Sequence, residues 1–98
     1  MTNRERLILS ANSRPALARH VKLRMDDTRQ RWVLLAPERL LTPSETAVAV
    51  LQLCDGARSV TDIAAQLAAE FDAPTAAILD DILPVLQDLA DKGHITAA

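Results

Sequence analysis

The chain has 98 residues, a length that fits one domain with a modest core. Apolar residues make up 49%, yet there is one Trp, one Phe, no Tyr and one Cys, so the core must be aliphatic and a disulfide framework or Cys-rich metal site is excluded. The net charge of −2 conceals a split: residues 1–42 carry nine basic and four acidic groups, a net +5, while residues 43–98 carry two basic and nine acidic ones, a net −7. Residues 1–16 have weak periodicity and end in Ser13-Arg14-Pro15, which reads as a flexible arm. Their apolar run, 7–9, is too short for a signal peptide. Residues 17–98 are expected to form a single domain.

Residues 19–26 alternate, with Val21, Leu23 and Met25 on one side and His20, Lys22 and Arg24 on the other. That pattern predicts a half-buried strand. Asp26-Asp27-Thr28-Arg29 reads as a hairpin turn. Residues 30–36 form a second strand rich in β-branched, aromatic and aliphatic side chains. Pro37-Glu38 breaks it, and Arg39, Leu40 and Leu41 form a short third strand. A strand pinned between a turn and a helix start is expected at the sheet edge, where backbone N–H and C=O groups stay unpaired. The basic sheet offers a surface for an acidic partner, or the two charged halves attract each other across the fold.

The first helix is expected to open with Thr42 as N-cap, Pro43 at N1 and Glu45 at N3, and to run to Cys54 before Asp55-Gly56 stops it. Ser59 caps a second helix with Asp62 at N3 and a core stripe of Ile63, Leu67 and Phe71. Asp72-Ala73-Pro74 separates it from a third helix that Gly93 closes, and His94-Ile95-Thr96 suits a short terminal strand. The third helix has an apolar arc of about 160°, wider than one packing neighbour needs. The surplus falls along Leu79, Leu83 and Ala90. Two neighbours could cover that arc, or one edge could line a groove beside the short strand. The predicted class is α+β: a small N-terminal antiparallel sheet of about three strands, then three helices, winged helix-turn-helix-like.

Convergent catalytic chemistry cannot be assembled. His20 and His94 have no partner at a metal-ligand spacing, Cys54 has no activating base, and both glycines read as helix stops rather than a phosphate loop. No apolar run is long enough to span a membrane, and the single Cys suits a reducing compartment, so a cytoplasmic location is expected. A winged-helix DNA-binding regulator is the rival. Its recognition helix would bring Asp72, Asp80, Asp81, Asp88 and Asp91 to the phosphates with only Lys92 opposing, so no nucleic acid is expected as a partner. A short exposed strand beside an apolar helix edge instead fits a peptide-binding module that takes an extended guest as an added strand.

The ordered set Leu34-Leu35-Ala36-Pro37-Glu38, Leu53-Cys54-Asp55-Gly56 and Arg58-Ser59-Val60 closely resembles the PqqD family. The likeness covers roughly residues 14–95. The resemblance implies a non-catalytic peptide-recognition domain in pyrroloquinoline quinone biosynthesis. It would bind the precursor peptide PqqA and present it to PqqE, a radical S-adenosylmethionine enzyme with iron–sulfur clusters. The leader would pair with the third strand and lie against the third helix. On this chain that implies Arg39, Leu40 and Leu41, with Leu79, Leu83, Leu86 and Ala90 as groove candidates. No cofactor is expected in this chain, whose single Cys cannot hold a cluster. A monomer is expected, with a strand-swapped homodimer as the alternative at high concentration.

Overall fold

A computed structural model describes residues 7–97. The elements run β1 (Pro15–Leu17), β2 (Lys22–Asp26), β3 (Arg31–Ala36), β4 (Arg39–Leu41), α1 (Glu45–Leu51), α2 (Val60–Phe71), α3 (Thr75–Asp91) and β5 (Ile95–Ala97). β2, β3 and β4 form the expected antiparallel sheet, in that order. The three helices follow it, as the α+β reading requires. β1 and β5 form a second antiparallel sheet, with Pro15 opposite Ala97 and Leu17 opposite Ile95. The terminal strand is thus present, but its partner β1 has only three residues and no alternation to announce it.

The core is aliphatic. Leu23, Leu34 and Leu41 share one face of the larger sheet by register, and they pack with Val50, Ile63, Leu67, Ile82, Leu86 and Ile95. All three helices therefore cover one face only. The alternation predicted for β2 fades along the strand: Val21 is buried, Leu23 half-buried and Met25 42% exposed. Phe71, expected in the α2 stripe, is also out of the core, 59% exposed at the last turn of its helix.

The helix ends follow local hydrogen bonding. Ser59 Oγ accepts the Asp62 N–H at 3.0 Å and Asp62 Oδ2 accepts the Ser59 N–H at 3.0 Å, the predicted reciprocal cap. At α1 the expected cap moves by two residues. Ser44, not Thr42, is the N-cap, and its Oγ accepts the Ala47 N–H at 3.2 Å. Pro43 restricts Thr42 to extended backbone, so Thr42 lies outside the helix. α1 also ends early, because Leu53 and Cys54 donate to carbonyls only three residues back. Gly56 (φ 81°) then turns the chain so that its N–H reaches the Pro15 carbonyl at 2.9 Å.

The stretch expected to be a loose arm has defined contacts from residue 7 on; residues 1–6 lie outside the described residues. Leu9 is 5% exposed and belongs to the core cluster. The Gln87 carboxamide accepts the Leu9 N–H at 2.9 Å and donates to the Leu7 carbonyl at 2.8 Å. Ala11 and Ser13 carbonyls accept the N–H groups of Thr61 and Val60 at the start of α2. Such backbone pairing had no signal in side-chain periodicity.

Candidate functional site

β3 and β4 are joined by Pro37 and Glu38 alone, since Ala36 stands opposite Arg39. Pro37 supplies the fixed φ of a tight turn, and Glu38 takes a positive φ of 60°. In a two-residue hairpin the residues flanking the loop exchange hydrogen bonds, and the next pair does not. Arg39 and Leu41 therefore bond to β3. The N–H and C=O of Leu40 point away from it, to the open side.

β4 has β3 as its only strand neighbour among the described residues. Among the described residues, Arg39, Leu40 and Leu41 make no backbone hydrogen bond outside that ladder. Leu41 packs on the core, Arg39 is exposed, and Leu40 is 57% exposed on the opposite face. An apolar residue and a free donor–acceptor pair thus coincide at one position of an edge strand.

The α3 candidates divide. Leu86 is fully buried, so the sequence expectation that it faces a groove is corrected: it anchors α3 to the core. Leu79, Leu83 and Ala90 are half-buried against the core. At about 100° per residue they share a flank of α3 with Gln87, the residue that holds Leu7 and Leu9. The other flank of the helix, Ile78, Asp81 and Ile82, borders a cavity of about 230 Å³ closed by Thr46 and Ala49 of α1 and Phe71 of α2. Sequence reasoning missed this flank. Its one sequence signal was the small residues one turn apart on α1; the core stripe to which Phe71 was assigned concealed the rest.

A second cavity, of about 600 Å³, opens where β3 outruns β4. Trp32, Pro43, Val48 and Ala49 line it, with Gln30, Arg31, Glu45 and Gln52. Ala49 borders both cavities, so the two flank α1 immediately after the edge strand ends.

The titratable groups are structural in placement. Cys54 is buried, its Sγ–H donates to the Val50 carbonyl at 3.3 Å, and burial with the nearby Asp55 charge pushes its thiol up to about 12. A thiol so held is not a nucleophile at neutral pH. Asp55 and Asp62 are held below the usual carboxylate range, the first by backbone N–H groups of Ala57 and Arg58, the second by the Ser59 N–H and hydroxyl. His94 is buried; its backbone N–H donates to the Leu89 carbonyl at 2.9 Å, while its ring Nδ1 has no hydrogen-bond partner among the described residues. Among the described residues no three His, Cys, Asp or Glu side chains gather as a metal site, and no helix is long and apolar enough to cross a membrane.

Fold and site together define a small winged-helix-like α+β domain whose three-stranded sheet leaves the β4 edge open beside the helices. The sequence profile of Coenzyme PQQ synthesis protein D (PqqD) matches residues 31–95, and the chain belongs to that family. A relative called PqqA binding protein, from Bradyrhizobium diazoefficiens, is 56% identical over 98 residues, 100% of this chain and 95% of its own. A protein of the same name from Rhodopseudomonas palustris strain BisB5 is 60% identical over 92 residues, 94% of this chain and 90% of its own. The solution structure of the PqqD truncation of Methylobacterium extorquens PqqCD is described as a functional, stand-alone recognition element for ribosomally synthesized and post-translationally modified peptides. It is 45% identical, covers 90% of this chain and 94% of its own, and superposes with a TM-score of 0.78. The crystal structure of PqqD from Xanthomonas campestris, 42% identical, covers 87% and 94% with a TM-score of 0.54.

Proposed function

We propose that this chain binds the PqqA precursor peptide as an added strand on β4 and presents it to the radical S-adenosylmethionine enzyme PqqE. The observation that carries the reading is the outward N–H and C=O of Leu40 on an edge with no second neighbour. A guest strand gains main-chain hydrogen bonds there, and its alternate side chains reach the surfaces on either side of β4. The apolar trough between α1 and the Ile78–Asp81 flank of α3 is a pocket for one of them. The family membership and the name shared by the relatives support the identity of the guest.

The chain acts without catalysis in this reading. A disordered peptide bears its ordering cost on binding here, and tethering then raises its effective concentration at the enzyme. The iron–sulfur chemistry belongs to PqqE. Titration with PqqA, followed by NMR, is expected to shift residues 38–42 and the first half of α3. Shifts that spare residues 38–42 would overturn strand addition. Duplex DNA is expected to give no complex in a gel-shift assay, since α3 presents Asp80, Asp81 and Asp88 with Lys92 already paired to Asp88 at 2.9 Å.

A further inference from the structure

β3 reads Arg31-Trp32-Val33-Leu34-Leu35-Ala36, an apolar run rather than an alternation. A run of that kind belongs to a strand covered on both faces. Here the helices cover one face only, yet on the other Val33 is buried, 6% exposed, and Leu35 is half-buried. Trp32 meets α1 across a cavity, and Leu34 and Ala36 pack with the helical core. Val33 and Leu35 point the other way and are absent from that core.

The register defines what surrounds them. Leu35 lies between Lys22 on β2 and Leu40 on β4, and Val33 lies opposite Arg24. Alternation puts Lys22, Arg24, Val33, Leu35 and Leu40 on one face. Leu40 is 57% exposed, and Lys22 and Arg24 are exposed. Among the described residues neither cation has an ion pair. Asp26, the acid at the end of β2, already accepts the N–H groups of Thr28 and Arg29 in the turn. The accessible apolar surface of this face is therefore Leu40 with the half-buried Leu35 beside it, and two unpaired cations lie along one side.

An extended peptide is a poor cover for such a face. Laid flat across side chains, its main-chain groups would lose water without gaining partners. A helix or other folded surface has its main chain already satisfied. Charge complementarity requires that surface to be acidic around an apolar centre.

We propose that the open face of the β2–β3–β4 sheet docks an acidic, apolar-centred surface of a folded partner protein, the enzyme that receives the peptide. This inference rests on the presentation reading above. It divides the sheet's work: the β4 edge takes the guest strand and the face takes the enzyme. Leu40 belongs to both, with its main chain on the edge and its side chain on the face.

The test uses the full-length chain and purified PqqE in biolayer interferometry, with PqqA affinity measured separately by calorimetry. The double variant Lys22→Glu/Arg24→Glu is expected to weaken PqqE binding at least about tenfold, mostly through a slower on-rate that salt reproduces in the wild type. Leu35→Ala tests the apolar centre and is expected to cost about fivefold. Both variants are expected to keep PqqA affinity within about twofold, since neither touches the β4 main chain. Unchanged PqqE binding by the double variant overturns the face proposal and leaves peptide binding intact. Equal losses toward PqqA and PqqE also overturn it, because the face would then serve the peptide. A wild-type chain that binds PqqA but not PqqE removes the presentation reading and this occupant together.

Discussion

Leu40→Pro separates strand addition from every other way a peptide could lie on this domain. Proline removes one backbone donor, and at position 40 that donor faces the guest rather than β3. A guest carbonyl that loses its partner in a desolvated interface costs about 1–3 kcal/mol. At 1.4 kcal/mol per factor of ten, that is a loss of about 5- to 150-fold in affinity. The ring also stands where a neighbouring strand must come to about 4.8 Å, which moves the expected loss toward the upper half of the range. The fold should tolerate the change, since proline is accepted on an edge strand when its N–H side faces solvent.

The assay is isothermal titration of PqqA into wild type, Leu40→Pro and Leu40→Ala. Leu40→Ala keeps the donor and removes only the exposed side chain, so the difference between the two variants isolates the main chain. Thermal unfolding supplies the control, with Leu40→Pro expected within a few degrees of wild type. Leu41→Pro behaves differently, because its N–H belongs to the β3 ladder: it should lose about 1–3 kcal/mol of stability. A folded Leu40→Pro protein with wild-type affinity for PqqA would refute the added-strand model.

Gln87→Ala removes both hydrogen bonds that fix Leu7 and Leu9, and should speed amide exchange at residues 7–13 with α2 protection unchanged. Gly56→Ala forces a side chain into positive φ and should cost about 1–2 kcal/mol, read as a lower Tm; its Cβ would meet only ordinary contact, so the cost is backbone strain. Cys54 should resist thiol reagents at pH 8 in the folded protein and react at once in urea. Its raised pKa means the native state favours the thiol, so that contribution to stability is whole below pH 9.0 and fades as pH rises toward about 12. Asp55 and Asp62 act in the opposite direction. Their folded pKa values are depressed, so their contribution is present above about pH 4 and lost as pH falls further, and Asp62→Asn should flatten the acid side of a Tm-against-pH curve.

What was legible in the sequence was whatever local pattern decides. The β2–β3 hairpin, the Pro37–Glu38 turn, the Ser59–Asp62 cap and the three helices each follow from residues within a few positions of one another. The edge position of β4 was legible too, because a three-residue strand hemmed by a turn and a helix has little room to acquire a second neighbour. The misses required distant partners. Residues 7–17 have no side-chain rhythm, and they are held by backbone groups of α2 and β5 and by one carboxamide 78 positions from Leu9. The α3 wall was misjudged at Leu86 for a related reason. A helical wheel gives the width of an apolar arc, but its centre is set by what packs there, and Leu86 sits at that centre.

The charge split acquires a physical meaning once the layers are known. The sheet and the segment before it come from the basic part of the chain, and the helices from the acidic part. Yet the two layers meet through an aliphatic core, and the Arg58–Asp55 and Lys92–Asp88 ion pairs are both local to the helical half. Attraction between the halves is therefore not what consumes the sheet's cations. Lys22 and Arg24 stay in solvent on the face the helices do not reach. A domain of this size gains its stability from the single helix-side core, closed at one end by Leu9 and the β1–β5 pair. That arrangement leaves the β4 edge and the exposed side chains of the outer face, Lys22, Arg24 and Leu40, outside the core, so changes at either can alter binding with little effect on folding. It is the separation the Leu40→Pro and Lys22→Glu/Arg24→Glu measurements exploit: a domain whose binding surfaces also held it together would lose its Tm in step with its affinity.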